Sequence, residues 1–222
     1  MSDLVISLNM GRPEQAEMLR HTAARFGYDL EFFGQGQTFT DFRQAKMGLV
    51  LDTLKSVSAD YVAFTDSWDS WLIKKGLFDK FRRTGKDFIM STNRDHYPDS
   101  KLYIVYPPSF TSFRFLCSSQ FIGKREVLIE AFEKMIEGYD GYTDQEGWNW
   151  YYVTNQSPKL TPDYYCDLFL NFTNVEPQEF VDGVLKETLS TPCAIHFGGP
   201  KGDSPNGRMM QYFKDLYANQ LS

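Results

Sequence analysis

Long apolar runs are missing from this chain of 222 residues. No segment reaches the ~18 apolar residues a helix needs to cross a bilayer. The first residues, Met1-Ser2-Asp3-Leu4-Val5-Ile6-Ser7, have no basic start and no extended apolar stretch, so they do not read as a signal peptide. Cysteine is scarce: Cys117, Cys166 and Cys193 are odd in number, widely spaced and without a C-x-x-C pair. That argues against a disulfide framework and against a structural zinc site, and favours a reducing compartment. Basic charge is not in excess either. A net charge of −6 argues against attachment to nucleic acid by general electrostatics, though not against a local basic face. Linkers, repeats and low-complexity stretches are absent as well. Together these absences predict one soluble, cytoplasmic domain over residues 1–222, without a membrane partner, as a monomer or small homo-oligomer.

What is present is ordinary for a globular core, with 42% hydrophobic and 23% charged residues, except for an aromatic share of 16%. Flat aromatic faces serve sugar and base binding as well as packing. Leu4 to Leu8 reads as a buried strand. Pro13 then suits the first turn of a helix that runs to about Phe26 and ends at Gly27. A strand over Tyr28–Phe33 leads through Gly34-Gln35-Gly36-Gln37 to a helix from about Asp41 to Val57, with Met47, Val50, Leu51 and Leu54 at helical spacing. A strand over Tyr61–Thr65, a helix over about Leu72–Arg83 and a strand over Asp87–Ser91 follow. This alternation predicts a three-layer α/β/α sandwich with a mostly parallel central sheet and a Rossmann-like N-terminal half. Residues 93–112 contain three prolines and read as a long loop with one strand around Tyr103-Ile104-Val105. A strand over Ser118–Ile122 and helices over Lys124–Gly138, Asp144–Val153 and Asn206–Tyr217 complete the pattern.

Asp66 and Asp69 lie just past the carboxyl end of an internal strand, where open α/β sheets place their ligands. Two carboxylates three apart on a turn can converge on one point, and hard oxygen ligands of this kind suit Mg²⁺ or Mn²⁺. Such an ion would bridge two phosphates and offset the charge growing on a departing diphosphate. The competing reading is that Asp66 caps the next helix while Asp69 is solvated. In Ala194-Ile195-His196-Phe197-Gly198-Gly199-Pro200-Lys201, a histidine leaves an apolar strand into a Gly-Gly turn. His196 is a candidate third ligand there, with the glycines admitting backbone N–H groups to phosphate and Lys201 adding charge. A satisfied buried histidine is the alternative.

Phe64-Thr65-Asp66-Ser67-Trp68-Asp69 resembles the Thr-Asp-Ser-aromatic-Asp motif of the glycosyltransferase domain of procollagen lysyl hydroxylases and its stand-alone phage, viral and bacterial relatives, a GT-A-type fold. Further segments match that family in order. They are Leu4 to Ser7, Phe33 to Gly36, Lys46, Tyr97-Pro98, Phe115-Leu116 with Ser118 and Phe121 to Gly123, Asp144-Gln145, Cys166 with Phe169 and Asn171, and Ile195-His196 with its glycines. Cys117, Ser119 and Gln120 depart from the family's Asn and two Gly, only Asp144 stands for several aspartates, and Phe197 replaces a glycine.

The resemblance implies that Asp66, Asp69 and His196 coordinate Mn²⁺ or Mg²⁺ and that a UDP-sugar is the donor. It places Asn9 and Lys46 at the nucleoside, Ser67, Trp68 and Ser118 in the donor site, and Gly198, Gly199 and Lys201 on the phosphates. Asp144 is the candidate catalytic carboxylate on the sugar side, with a helix-capping role as its alternative. Tyr97 is a candidate for stacking on a sugar or acceptor ring. With neither oxygenase domain nor secretory signal in the sequence, a hydroxymethylated base in phage DNA, modified within a bacterial host cell, is the expected acceptor. It would be extruded from its duplex, and the cluster Lys74, Lys75, Lys80, Arg82, Arg83 and Lys86 would track phosphates beside the site. A protein hydroxylysine, a surface glycan, a non-catalytic nucleotide-sugar-binding module and a metal-dependent nuclease or phosphatase are the competing readings.

Overall fold

The computed structural model describes residues 1–10, 13–37, 42–98, 101–141, 143–154, 158–199 and 205–218. Lys201 lies outside them. The central sheet is built from β1 (Asp3–Leu8), β2 (Leu30–Phe33), β3 (Tyr61–Thr65), β5 (Phe88–Asn93), β6 (Phe115–Lys124) and β7 (Leu160–Pro162), in the order β2-β1-β3-β6-β5-β7. A three-stranded sheet of β4 (Ser70–Leu72), β8 (Phe169–Asn171) and β11 (Ala194–His196) stands beside it, in the order β4-β11-β8. A small hairpin joins β9 (Phe180–Val181) to β10 (Val184–Leu185). The helices are α1 (Glu17–Phe26), α2 (Phe42–Ser56), α3 (Leu77–Thr84), α4 (Leu102–Val105), α5 (Arg125–Gly138), α6 (Asp144–Val153) and α7 (Pro205–Ala218).

The strands are apolar on both faces because helices cover both. Successive side chains of β1 point opposite ways. Leu4, Ile6 and Leu8 enter one core with Met47, Val50 and Leu54 of α2, Leu128 and Phe132 of α5, and Trp148 and Tyr151 of α6. Val5 enters a second core with Leu19 and Ala23 of α1 and Leu77, Phe78 and Phe81 of α3. A third core joins Trp71, Leu170, Phe172, Ile195 and Phe197 to Met209 and Phe213 of α7. Gly27 closes α1 in the left-handed region at φ 70°, its N–H bonded to the Ala24 carbonyl.

The expected α/β sandwich is present. Only β6 runs against its neighbours: β1 is parallel to β2 and β3, and β7 is parallel to β5. Two elements differ from the sequence reading. The helix expected from Leu72 begins at Leu77, because Ser70–Leu72 is drawn into β4 by antiparallel pairing with β11. The strand expected around Tyr103-Ile104-Val105 is the short helix α4. Tyr103, Ile104 and Val105 are all exposed there, so β-branched side chains had no sheet partner to reward extension. All three cysteines are free and buried.

Candidate active site

The carboxyl ends of β1 and β3 and the amino-terminal half of β6 border a cavity of about 750 Å³, lined among others by Leu8, Met10, Lys46, Asp66, Ser67, Trp68, Asp69, Ser118, Asp144, His196, Gly198 and Gly199. Asp66 leaves β3, and its N–H bonds to the Ser119 carbonyl at 3.0 Å, continuing the β3–β6 ladder. Asp69 precedes β4, whose pairing with β11 sets Ser70 opposite His196. The Phe197 N–H closes this corner on the Asp69 carbonyl at 2.7 Å. Asp66, Asp69 and His196 thereby offer ligand atoms within 4.8 Å of one another.

The orientation of His196 fixes its chemistry. Asn171 Nδ2 donates to the Thr92 carbonyl at 2.8 Å, which leaves Asn171 Oδ1 as the acceptor facing His196 Nδ1 at 2.8 Å. Ser119 Oγ donates to the same oxygen at 3.1 Å. Nδ1 therefore carries the proton, and Nε2 faces Asp69 Oδ1 at 3.4 Å. A histidine held this way presents a lone pair once its second proton leaves, as ligation requires. Burial opposes the charge of His196, but Asp69 beside it prevails and raises the imidazole to about 10. Burial alone would raise the Cys117 thiol; the hydrogen bond to His196 and the Ser119 hydroxyl bring it below its ordinary range. Two carboxylates, one imidazole nitrogen and the open cavity beside them fit a hard divalent ion with positions left for phosphate oxygens.

Gly198 is required by that histidine. A Cβ at position 198 would lie 2.7 Å from His196 Cε1 and 3.2 Å from Thr173 Oγ1. Phe197, the departure from the family glycine, turns away from the cavity into the third core, where it stacks on Phe172 at 5.2 Å. Ser119 does line the cavity; Gln120 is buried behind it, donating to Thr65 Oγ1 at 3.1 Å.

Lys46 reaches from α2 to Asp66 Oδ1 at 3.0 Å and to Asp144 Oδ2 at 2.8 Å. Burial disfavours its charge, but the two carboxylates outweigh burial and hold it protonated well above the ordinary lysine range. Asp144 opens α6 and is ionised: burial would raise it, but Lys46 and the Ser118 hydrogen bond lower it. Thr143, not Asp144, caps that helix, its Oγ1 accepting the Glu146 N–H at 3.1 Å. Asp144 is therefore left to face the cavity. Gln145 clamps the neighbouring strand, accepting the Ser118 N–H at 2.8 Å and donating to the Leu116 carbonyl.

Trp68 and Tyr97 are 45% and 65% exposed at the cavity, each with a free ring surface to offer. Asn9 is 1% exposed and does not line the cavity, although its neighbours Leu8 and Met10 do; its side-chain Nδ2 and Oδ1 have no hydrogen-bond partner among the described residues. Asn93, Asp95, His96 and Thr173 also line the cavity and were not foreseen, nor was the part Asn171 plays. The available signal for Asn171 was its match to the family pattern with Cys166 and Phe169, which does not name a partner across the ladder.

The basic cluster is not beside this site. Arg82 pairs with Asp3, at the amino end of β1, whereas the cavity lies at the carboxyl end beyond Leu8. Lys80 is spent on the Thr191 and Asp167 carbonyls at 2.7 and 3.0 Å, and Lys74 on Thr191 Oγ1 at 3.1 Å. No member lines the cavity among the described residues. These lysines and Arg82 hold α3 to the rest of the fold, which a run of charges cannot reveal.

Fold and site define a GT-A-type glycosyltransferase domain. A glycosyltransferase involved in the glycosylation of the major capsid of PBCV-1 shares the fold, with a TM-score of 0.57 at 9% identity over 96% of this chain and 100% of that one. The chain belongs to the PLOD GT domain family, which matches it over residues 4–193. Among curated proteins it is similar to procollagen-lysine,2-oxoglutarate 5-dioxygenase 1 of Bos taurus, 26% identical over 89% of this chain. The Homo sapiens protein of the same name is 24% identical over the same share. The chain spans 30% of the length of these relatives. No helix among the described residues is long and apolar enough to cross a membrane.

Proposed function

We propose that this domain, spanning residues 1–222, transfers a hexosyl or pentosyl group from a UDP-sugar to a hydroxyl acceptor with the help of Mn²⁺ or Mg²⁺. The observation that carries this reading is the convergence of Asp66, Asp69 and His196 within 4.8 Å on an open cavity at the carboxyl ends of β1, β3 and β5. These three residues would hold the ion, which supplies Lewis-acid stabilisation of the departing diphosphate. Gly198 and Gly199 admit phosphate oxygens close to the backbone, and Ser67, Ser118 and Trp68 form the donor wall. Asn9 stands behind the cavity wall with its side-chain amide unpaired among the described residues, so a role at the nucleoside rests on the family resemblance. Asp144, ionised and facing the cavity, accepts hydrogen bonds from sugar hydroxyls or receives the acceptor proton. Tyr97 offers an exposed ring for stacking at the mouth.

A hydroxymethylated DNA base, the acceptor expected from the sequence, now rests on the family resemblance alone, since the basic cluster lies elsewhere. A protein hydroxyl draws support from the curated relatives, which are named for acting on procollagen lysine. The deciding experiment incubates the protein with MnCl₂ and a panel of UDP-sugars and measures UDP release. Release that prefers one sugar, stops with EDTA and is lost in Asp66→Ala and His196→Ala supports the reading. Equal release in those variants would remove it. Intact-mass analysis of hydroxymethylcytosine DNA and of a hydroxylysine peptide, each with the preferred donor, separates the two acceptors.

A further inference from the structure

Four aspartates, Asp66, Asp69, Asp95 and Asp144, line one cavity, and Lys46 is the one lysine or arginine among the described residues that line it. Its side chain is 7% exposed, and its ammonium lies 5.3 Å from the centre of the Phe64 ring, between Asp66 Oδ1 and Asp144 Oδ2. The three partners come from α2, from the end of β3 and from the start of α6. With one Asp66 oxygen on Lys46, the other remains for an ion shared with Asp69 and His196. Asp66 then stands between two cations.

From this geometry we infer that Lys46 is a positioning residue, an ionic strut that fixes Asp144 against the metal-ligand Asp66 and weakens the hold of Asp66 on the ion until a diphosphate adds its own charge. The inference deepens the proposed reading and rests on it for the identity of the ion. A direct contact between Lys46 and the nucleoside, the role expected from the family, would require the ammonium to leave both carboxylates. That would strand the buried Asp144 carboxylate and the half-buried Asp66 beside it, and breaking a pair with a buried member is costly. The charge effect has a definite sign. A buried ammonium near a divalent ion repels it through a medium far less screening than water, so removing the ammonium tightens metal binding. General damage to the site would loosen it.

The test compares Lys46→Met, Lys46→Arg, Asp144→Asn and the double variant Lys46→Met/Asp144→Asn with the unmodified protein, using Mn²⁺ alone and no donor. In EDTA, each of Lys46→Met and Asp144→Asn is expected to lower Tm by on the order of 10 °C, and the double variant to recover about half or more of the summed loss. In calorimetric titration, Lys46→Met is expected to bind Mn²⁺ at least about 10-fold more tightly, while Lys46→Arg stays within about threefold of the unmodified protein. If Lys46→Met does not fold, the double variant is compared with Asp144→Asn for the same increase. Additive Tm losses, or a Mn²⁺ affinity that fails to rise when the ammonium is removed, overturn the strut. If the unmodified protein binds no Mn²⁺, the metal reading itself fails, and the metal-free Tm comparison alone decides: recovery supports the strut and additivity overturns it.

Discussion

Asn171 and His196 sit directly opposite each other on the parallel strands β8 and β11, with Asn171 Oδ1 2.8 Å from His196 Nδ1. Because the Asn171 amide nitrogen is committed to the Thr92 carbonyl, this contact settles which histidine nitrogen faces the cavity. A group that orients a ligand in this way typically changes metal affinity about 10–100-fold when removed. Asn171→Ala is therefore expected to weaken Mn²⁺ binding by that factor with little change in circular dichroism. Unchanged affinity in a calorimetric titration would show that the histidine holds itself.

Gly198 tests the same ring. With only 2.7 Å between an added Cβ and His196 Cε1, Gly198→Ala must push the imidazole or the loop aside. The expected result is a loss in Mn²⁺ affinity of about 10-fold or more, in the range of other orienting contacts. An affinity equal to that of the unmodified protein would mean the loop yields freely.

The pH dependence of metal binding follows from His196. Its imidazole is raised to about 10, burial opposing and Asp69 outweighing it, so near neutrality the metal-free protein keeps a proton on Nε2. A metal ion must displace that proton. Apparent Mn²⁺ affinity should then rise with pH by about tenfold per unit from roughly 6.5 to 8.5, with about one proton released per ion. Metal-free stability moves the other way: this contribution is complete below about 6.5, the unfolded value, and fades as pH rises through about 10. Calorimetry in buffers of different ionisation enthalpy counts the proton, and a flat affinity profile would contradict the assignment.

Gln145 predicts a stability effect. In Gln145→Leu the Ser118 N–H and the Leu116 carbonyl, both now satisfied by the amide, are left buried without partners. At about 1–3 kcal/mol for each orphaned group, the loss is roughly 2–6 kcal/mol, a fall in Tm on the order of 10 °C. Thermal unfolding in EDTA measures it free of metal effects, and a Tm within a degree or two of the unmodified protein would refute the clamp.

Arg83 and Lys86 are exposed on and after α3, away from the cavity. Arg83→Ser with Lys86→Ser should leave UDP release within about twofold, as distant surface changes usually do. A several-fold drop confined to a DNA acceptor would restore the phosphate-tracking role that their position argues against.

Much of the scaffold was determined locally. Leu4 to Leu8 and Tyr61 to Thr65 are mostly apolar runs of the kind a sheet covered on both faces buries, and the spacing of Met47, Val50 and Leu54 favours a helix with one face on that sheet. The Asp66–Asp69 turn was legible for the same reason, being acidic residues at the end of an internal strand. Where nonlocal pairing competed with local preference, the sequence misled. Leu72 read as the start of a helix until β11 paired with it, and Tyr103 to Val105 read as strand although no edge receives them.

The chemistry of the cavity was decided by contacts between residues far apart in the chain. His196 became a fixed tautomer through Asn171, and Lys46 was placed between Asp66 and Asp144 rather than simply near a nucleoside. By itself the sequence determined which residues could bind metal and which segments could be strands and helices, because periodicity and residue chemistry are local properties. Only the tertiary structure decided which nitrogen, which oxygen and which ammonium meet, because strand register and helix packing fix distances that residue spacing along the chain does not contain.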